Sequence, residues 1–300
     1  MRAAAPDAAG HVSVDGTEIW WERFGTGGPA LLLFGGDTIV DSQMWKGQVG
    51  WFARRQAVLV FDPPGNGRSS RTTDPHAYSD DTLLAAALAV LDTCGVDRAV
   101  AAGVCSGAGL PRLLAADHPD RVAAVVAINP GMRLTAPHPH RNVTRFDAVL
   151  ADDTGWNKEN RHYWMRDWRG FAEFFFDQLL PEPHSTKHHD DAVGWACGTT
   201  AEMMLSDHSG ASRRGDPESA AEICRRVACP VLVINGDRDM CQPPERSRLV
   251  AELTGGELLV MAGSGHLPHA RDPVRVNLAI AAFLKRLAPQ PIRVGREVHR

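Results

Sequence analysis

The sequence has no long hydrophobic run, and this absence argues against two classes of protein. No segment of the 300 residues is apolar for long enough to span a bilayer. The alanine-rich first ten residues lack the apolar stretch of ~7–15 residues that a secretory signal peptide requires. We therefore expect a cytoplasmic protein that does not insert into a membrane.

The chain also lacks a dominant charge of one sign and a cysteine framework. Its 32 lysines and arginines and 36 aspartates and glutamates give a formal net charge of −4, which offers no electrostatic basis for binding nucleic acid. The six cysteines, at positions 94, 105, 197, 224, 229 and 241, follow neither a disulfide spacing nor a zinc spacing. We expect free thiols in a reducing compartment.

Short apolar segments instead alternate with helical patterns along most of the chain. Residues 12–21 predict a hairpin with an Asp-Gly turn. Further strands are predicted at residues 30–34, 57–62, 98–102, 122–128, 231–235 and 258–261, and helices at 83–91, 110–118 and 274–287. This alternation, with 44% hydrophobic residues, indicates an α/β fold whose mostly parallel central sheet is covered by helices on both faces.

Residues 134–214 interrupt the alternation. This segment has no strand–helix rhythm and is rich in aromatic residues. We interpret it as a helical lid inserted into a core that residues 1–133 and 215–300 form. The aromatic residues either attach the lid to the core or line an apolar binding cleft. On the second interpretation, Trp164 and Trp168 are candidate substrate contacts.

The most informative motif surrounds Cys105, where a predicted strand runs directly into a predicted helix. Gly103 and Gly107 lie two residues before and two residues after this cysteine. Small residues at these positions allow a sharp turn that exposes the central side chain beside a helix N-terminus. The motif predicts a nucleophile elbow whose central residue is cysteine instead of the more usual serine.

Ser106 is the alternative nucleophile. A motif centred on Ser106 would place Val104 in the tight turn, where a β-branched side chain is crowded. A buried, inert Cys105 is a second alternative, but it would leave the two flanking glycines unexplained. We therefore favour Cys105 as the nucleophile.

A cysteine nucleophile needs a base and a group that orients the base. His266 follows the last predicted strand and is the candidate base, whereas His269 lies three positions further on and would point elsewhere. The loop after the preceding strand offers two carboxylates. Asp239 lies further into that loop and can reach an imidazole, whereas Asp237 would brace the loop or pair with Arg238.

The chain order of nucleophile, acid and histidine, together with the elbow, resembles the α/β-hydrolase superfamily. The resemblance extends from about residue 12 to residue 287, and it includes the aspartate- and glycine-containing segment at residues 61–70. It implies that the backbone N–H groups of Gly36 and Ser106 hold the oxyanion. Phe34 stands where many members have histidine, and Asp37 lies beside the implied oxyanion hole. Both are candidate substrate contacts.

The thiol determines which acyl substrates are expected. A thiol has an unperturbed pKa near ~8.5, and a helix N-terminus and a nearby imidazole both lower it, so we expect a thiolate–imidazolium pair. A thiolate leaves a tetrahedral intermediate more readily than an amine does, which disfavours amide cleavage. We therefore expect hydrolysis of an ester, lactone or thioester through an acyl-cysteine intermediate. Acyl transfer, elimination and ligand binding without catalysis are the alternatives.

No cofactor and no metal are expected. His184 and His188 are four residues apart and close to aspartates, but prolines precede them and the chemistry does not require a metal, so we interpret the segment as a solvated turn of the lid. The expected partner is a small acyl substrate, either free or carried by CoA or an acyl carrier protein. Whether Cys241 can pair with Cys105 stays open.

Overall fold

A computed structural model describes residues 5–141 and 145–287 of the chain, and an eight-stranded sheet lies at the centre of these residues. The strands are β1 (Ala8–Val14), β2 (Thr17–Phe24), β3 (Ala30–Phe34), β4 (Val58–Phe61), β5 (Ala99–Val104), β6 (Val122–Ile128), β7 (Val231–Gly236) and β8 (Glu257–Met261). Their order across the sheet is β1-β2-β4-β3-β5-β6-β7-β8. From β4 to β8 all neighbours are parallel, and β2 joins them antiparallel.

The predicted hairpin is present at the edge of this sheet, where β1 and β2 pair antiparallel. Asp15 and Gly16 connect the two strands with φ angles of 47° and 81°. Two consecutive positive φ angles suit the right-handed twist of a two-residue hairpin, and Asp-Gly is a favoured pair for such a turn. The prediction of a mostly parallel α/β sheet is confirmed.

Helices flank the sheet and connect its parallel strands. They are α1 (Lys46–Phe52), α2 (Asp80–Thr93), α3 (Gly109–Asp117), α4 (Arg161–Arg166), α5 (Trp168–Leu179), α6 (Thr186–Ala196), α7 (Ala201–Ser209), α8 (Pro217–Arg226), α9 (Pro244–Thr254), α10 (Pro268–Arg271) and α11 (Pro273–Leu287). Alternate residues of β3 enter different hydrophobic clusters: Leu31 and Leu33 join one, and Leu32 and Phe34 join the other. The central strands are therefore apolar on both faces because both faces are covered.

The edge strand β8 departs from the expected coverage. Leu258 and Leu259 are each 37% exposed and Val260 is 52% exposed. This strand has a single partner in the sheet, β7, so its apolar side chains are less enclosed than those of the inner strands. Among the described residues, the sheet is therefore less enclosed at this edge than at its centre.

Helices α4 to α7 form an insertion between β6 and α8. Their aromatic side chains pack on one another, with ring centroids 5.7 Å apart for Trp164 and Trp168 and 4.9 Å apart for Trp164 and Phe171. Trp164 and Phe171 also belong to the hydrophobic cluster on one face of the sheet. The aromatic residues thus attach the insertion to the body. In the ranges that the structure describes, no helix combines the length and the apolar content needed to span a bilayer.

Candidate active site

Cys105 lies at a strained turn between β5 and α3. Its φ angle is +55°, a left-handed conformation that costs energy for a residue with a side chain. A Cβ atom on Gly103 would overlap the carbonyl of Gly107, and one on Gly107 would overlap the carbonyl of Gly35. The two glycines are therefore required by close backbone approach, and the tight turn between strand and helix is centred on Cys105.

His266 and Asp239 form a buried pair near this turn. The Nδ1 atom of His266 lies 2.7 Å from Oδ2 of Asp239, and both side chains are 1% exposed. The other carboxylate oxygen accepts the backbone N–H groups of Cys241 at 2.7 Å and Gln242 at 2.9 Å. Asp239 is thereby held in place by its own loop, and it orients the imidazole so that Nε2 is free for other partners.

Cys105, His266 and a second cysteine, Cys241, come together. The Sγ atoms of Cys105 and Cys241 and a ring nitrogen of His266 all lie within 4.8 Å of one another. Because Nδ1 is held by Asp239, Nε2 is the nitrogen available to the sulfurs, and it is buried without a hydrogen-bond partner. The sequence predicted this meeting of Cys105, Asp239 and His266, because carboxyl ends of parallel strands share one edge of a sheet.

Two side chains at the site were not anticipated from the sequence. The Nε2 amide of Gln242 donates to Sγ of Cys105 at 3.5 Å and to Sγ of Cys241 at 3.4 Å. Nη1 of Arg141 donates to Sγ of Cys241 at 3.2 Å. Arg141 comes from the start of the insertion, far from the other site residues in sequence, so no motif spacing could have identified it.

The pKa shifts at the site differ from those expected. Burial by itself would lower the pKa of His266, but the Asp239 carboxylate and then Cys105 raise it to about 10. The pKa of Cys105 is raised, first by its hydrogen bond with Cys241 and then by burial, although His266 acts in the opposite direction. The expectation of a lowered thiol pKa is therefore wrong.

Gly36 and Ser106 line a cavity of about 180 Å³ next to the elbow. A Cβ on Gly107 would lie 3.3 Å from the nitrogen of Gly36, and one on Gly131 would lie 2.6 Å from the nitrogen of Ser106. The backbone nitrogens of Gly36 and Ser106 therefore lie against Gly107 and Gly131, where a side chain would not fit. The oxyanion role of the two N–H groups stays a prediction.

Charged side chains line the rest of this cavity, among them Asp37, Asp80, Asp207 and Arg214. Burial, and then the neighbouring Asp37, raises the pKa of Asp207 to about 7. Arg214 pairs with Asp80 and donates to the carbonyl oxygen of Ser106 at 2.7 Å. The apolar cleft predicted from the aromatic residues is not found here, because buried aromatic residues such as Trp164 and Phe171 pack in the hydrophobic cluster on one face of the sheet.

The other candidate substrate contacts lie outside this cavity. Phe34 is 1% exposed and packs edge-on against Phe61 at 5.2 Å, which leaves it no surface for a substrate, so that assignment is wrong. Trp164 is buried. Trp168 is half-buried and donates to the carbonyl oxygen of Ala196 at 2.9 Å. For the two tryptophans, substrate contact stays a prediction.

The alternatives to the triad residues have structural roles. His269 is fully buried against Trp45, with ring centroids 4.7 Å apart, and burial lowers its pKa to about 3. Asp237 accepts the N–H of Gly263 at 2.7 Å, so it braces the loop as predicted. Ser106 keeps its hydroxyl buried without a hydrogen-bond partner.

The histidine-rich segment of the insertion does not gather ligand atoms among the described residues. Asp191 is paired with Lys46 and Lys187. His189 bonds through Nε2 to the carbonyl oxygen of Glu173 at 3.0 Å. Within residues 5–141 and 145–287, the group whose ligand atoms do converge is the one at Cys105.

Comparisons with known proteins identify the family of the fold. Residues 27–181 match a family described as alpha/beta hydrolase fold. The provisionally named carbamate hydrolase RutD of Caulobacter sp. strain K31 is 29% identical over 252 residues, which cover 80% of this chain and 85% of that protein. The 3-oxoadipate enol-lactonase 2 of Acinetobacter baylyi is 24% identical over 266 residues, covering 89% of this chain and 92% of that protein.

A solved structure shows the same architecture. The enol-lactonase from Burkholderia xenovorans LB400 superposes with a TM-score of 0.74 at 21% identity, covering 92% of this chain and all of that one. The family match spans more than half of the 300 residues. With this match and its order of strands, this chain belongs to the alpha/beta hydrolase fold family.

Proposed function

We propose that this protein hydrolyses an ester, lactone or thioester bond through an acyl-cysteine intermediate on Cys105. The observation that carries the proposal is the strained +55° φ angle of Cys105 at the end of a buried strand, next to the His266–Asp239 pair. Backbone strain of this kind concentrates at functional sites. A protein that only binds a ligand and has no catalytic activity would not require the strained backbone of Cys105 or the buried His266–Asp239 pair.

The reaction begins when Sγ of Cys105 attacks the substrate carbonyl carbon. The thiol proton goes to Nε2 of His266, and the carbonyl π electrons move to oxygen. The N–H groups of Gly36 and Ser106 stabilise the resulting oxyanion. Collapse of this intermediate expels the leaving group, which takes its proton from His266, and a thioester remains on Cys105.

A water molecule completes the cycle. His266 removes a proton from the water, which attacks the thioester carbonyl, and Cys105 leaves with the proton returned by His266. An alcohol or amine in place of water would make the reaction an acyl transfer. Asp239 stabilises the imidazolium at each step and does not itself take the proton.

The pKa directions predict how this site responds to pH. The reaction can begin when His266 is neutral beside a Cys105 thiol, or when His266 is an imidazolium beside a Cys105 thiolate. A site that holds both the imidazolium and the thiol has one more proton than either of these forms and is inactive. Loss of that proton activates the enzyme, so kcat/KM should rise from neutral pH toward alkaline pH. A profile that falls over this range would contradict the assignment.

The cavity and the relatives narrow the substrate class. The cavity of about 180 Å³ beside Ser106, with its carboxylate and guanidinium lining, supports a small polar part of the substrate next to the reacting group; Cys105 and His266 are not among its lining residues. Two of the similar proteins are named enol-lactonases, which supports ester and lactone bonds. A thioester carried by CoA or an acyl carrier protein is the second substrate form to test.

The proposal is tested by measuring the mass of the intact protein after brief exposure to p-nitrophenyl acetate and to short acyl-CoA thioesters. Wild type should gain one acyl group, Cys105→Ala should gain none, and Ser106→Ala is the matched control that should still be acylated. Decay of the adduct in water, with or without an added alcohol or amine, separates hydrolysis from acyl transfer. An adduct on Cys105→Ala, or product formation without any adduct, would refute the acyl-cysteine mechanism.

A further inference from the structure

We propose that Cys105, Cys241 and His266 form a binding site for a thiophilic divalent cation, Zn²⁺ in the first place, which inhibits the enzyme. Two thiols and one imidazole are a ligand set that zinc uses with a fourth position left open. The binding itself does not depend on the acyl chemistry. Only the inhibition rests on the proposed function, because the cation would occupy the nucleophile and the base together.

The geometry requires little rearrangement. A tetrahedral zinc ion with Zn–S bonds of ~2.3 Å holds its ligand atoms ~3.8 Å apart. Here the two Sγ atoms and a ring nitrogen of His266 lie within 4.8 Å of one another. Closure by ~1 Å at most therefore completes the site, which small χ1 changes of Cys105 and Cys241 can supply.

The surroundings of the three ligands also suit a metal. Asp239 holds Nδ1 of His266 at 2.7 Å, the carboxylate–imidazole arrangement that commonly supports a metal-bound histidine. Nε2 is buried and has no hydrogen-bond partner, so it lacks a competing contact. Cys105 is half-buried and Cys241 is buried.

Two side chains place hydrogen-bond donors against the sulfurs. Gln242 donates to the two Sγ atoms at 3.5 Å and 3.4 Å, and Arg141 donates to Cys241 at 3.2 Å. Each thiol releases its proton to solvent when the metal–sulfur bond forms. Thiolate ligands select zinc and related soft cations over Mg²⁺ and Ca²⁺, which prefer oxygen.

Cobalt(II) is the spectroscopic probe for this site, because thiolate ligation gives a charge-transfer band and tetrahedral coordination gives strong visible bands. Reduced wild-type protein is titrated with Co²⁺ under inert gas, beside Cys241→Ser, Cys241→Ala and the control Cys197→Ser, which alters an exposed cysteine of the insertion. Circular dichroism and thermal melting check the fold of every variant. Zn²⁺ is then added to displace the cobalt, and ester hydrolysis is measured in the same samples.

We expect the bands in wild type and in Cys197→Ser, and affinity weaker by about tenfold or more in both Cys241 variants. Absence of the bands from wild type, or equal affinity in the Cys241 variants, would overturn the site. If those variants do not fold, Cys105→Ala supplies the same comparison. Cobalt binding at Cys241 without inhibition by Zn²⁺ would preserve the metal site and count instead against the catalytic role of Cys105.

Discussion

Replacement of Asp239 by asparagine tests how the base is organised. The oxygen of the new amide can still accept the N–H groups of Cys241 and Gln242, as Oδ1 does now, so the loop should keep its conformation. The amide nitrogen would face Nδ1 of His266, which must then become an acceptor. The ring proton moves to Nε2, where it prevents the nitrogen from accepting a proton from Cys105. We expect kcat to fall by ~10³–10⁴.

The same substitution has a second consequence, for stability. The pKa of His266 is raised from 6.5 to about 10: burial opposes the shift, and Asp239, followed by Cys105, outweighs it. A shift of this size corresponds to at most ~5 kcal/mol of preference for the imidazolium in the folded state. Because the folded pKa is the higher one, this stabilisation is fully present below pH 6.5 and is lost as the pH rises to about 10.

The two effects are measured on the same protein. Steady-state hydrolysis of p-nitrophenyl acetate gives kcat, and urea unfolding at pH 6.5 and pH 10 gives the free energy of unfolding. Asp239→Asn should be less stable than wild type by several kcal/mol at the lower pH, and the difference should shrink at the higher pH. Asp237→Asn, on the same loop but exposed, is the matched control and should change neither quantity. An Asp239→Asn enzyme within about tenfold of wild-type kcat, or a stability difference that is independent of pH, would refute the reasoning.

Two further predictions concern packing and acid sensitivity. Gly107→Ala would drive its Cβ into the carbonyl of Gly35 and should lower the free energy of unfolding, measured in urea titrations, by more than ~3 kcal/mol. The control Gly50→Ala, in a helix with open space around it, should raise the free energy of unfolding by ~0.5–1 kcal/mol. Equal effects of the two substitutions would contradict the close approach of Gly107 to Gly35. Burial lowers the pKa of His269 to about 3, so the wild-type protein should lose stability as the pH falls from 6.5 toward 3. His269→Phe keeps a ring against Trp45 and should lose less stability over this range. Parallel acid-unfolding curves of the two proteins would contradict this prediction.

The sheet and the triad could be predicted from the sequence for a common physical reason. Strands buried on both faces are continuous apolar runs. The apolar run at residues 122–128 therefore predicted β6 with the same limits that the structure shows. Parallel strands end at one edge, so residues that follow different strands can meet there. That rule is sufficient to bring Cys105, Asp239 and His266 together, although 161 positions separate the first from the last.

Features that depend on side-chain environment could not be predicted. Every residue of β3 is apolar, so alternation cannot say which face Phe34 occupies, and it lies in the core. The sign of the Cys105 pKa shift depends on burial and on Cys241, whose approach is determined by the conformation of a loop. The position of Arg141 depends on how the insertion folds back, which no local pattern encodes.

The end of α5 is joined directly to the loop that carries the base. The carbonyl oxygen of Leu179 accepts the N–H of His266 at 2.9 Å, and Glu182 accepts the N–H of Gly265 at 2.7 Å. The insertion and the loop that carries His266 are therefore hydrogen-bonded directly to each other. The amide hydrogens of Gly265 and His266 should accordingly exchange slowly even if those of α4 and α7 exchange fast, and a substrate that displaced the end of α5 would also displace His266.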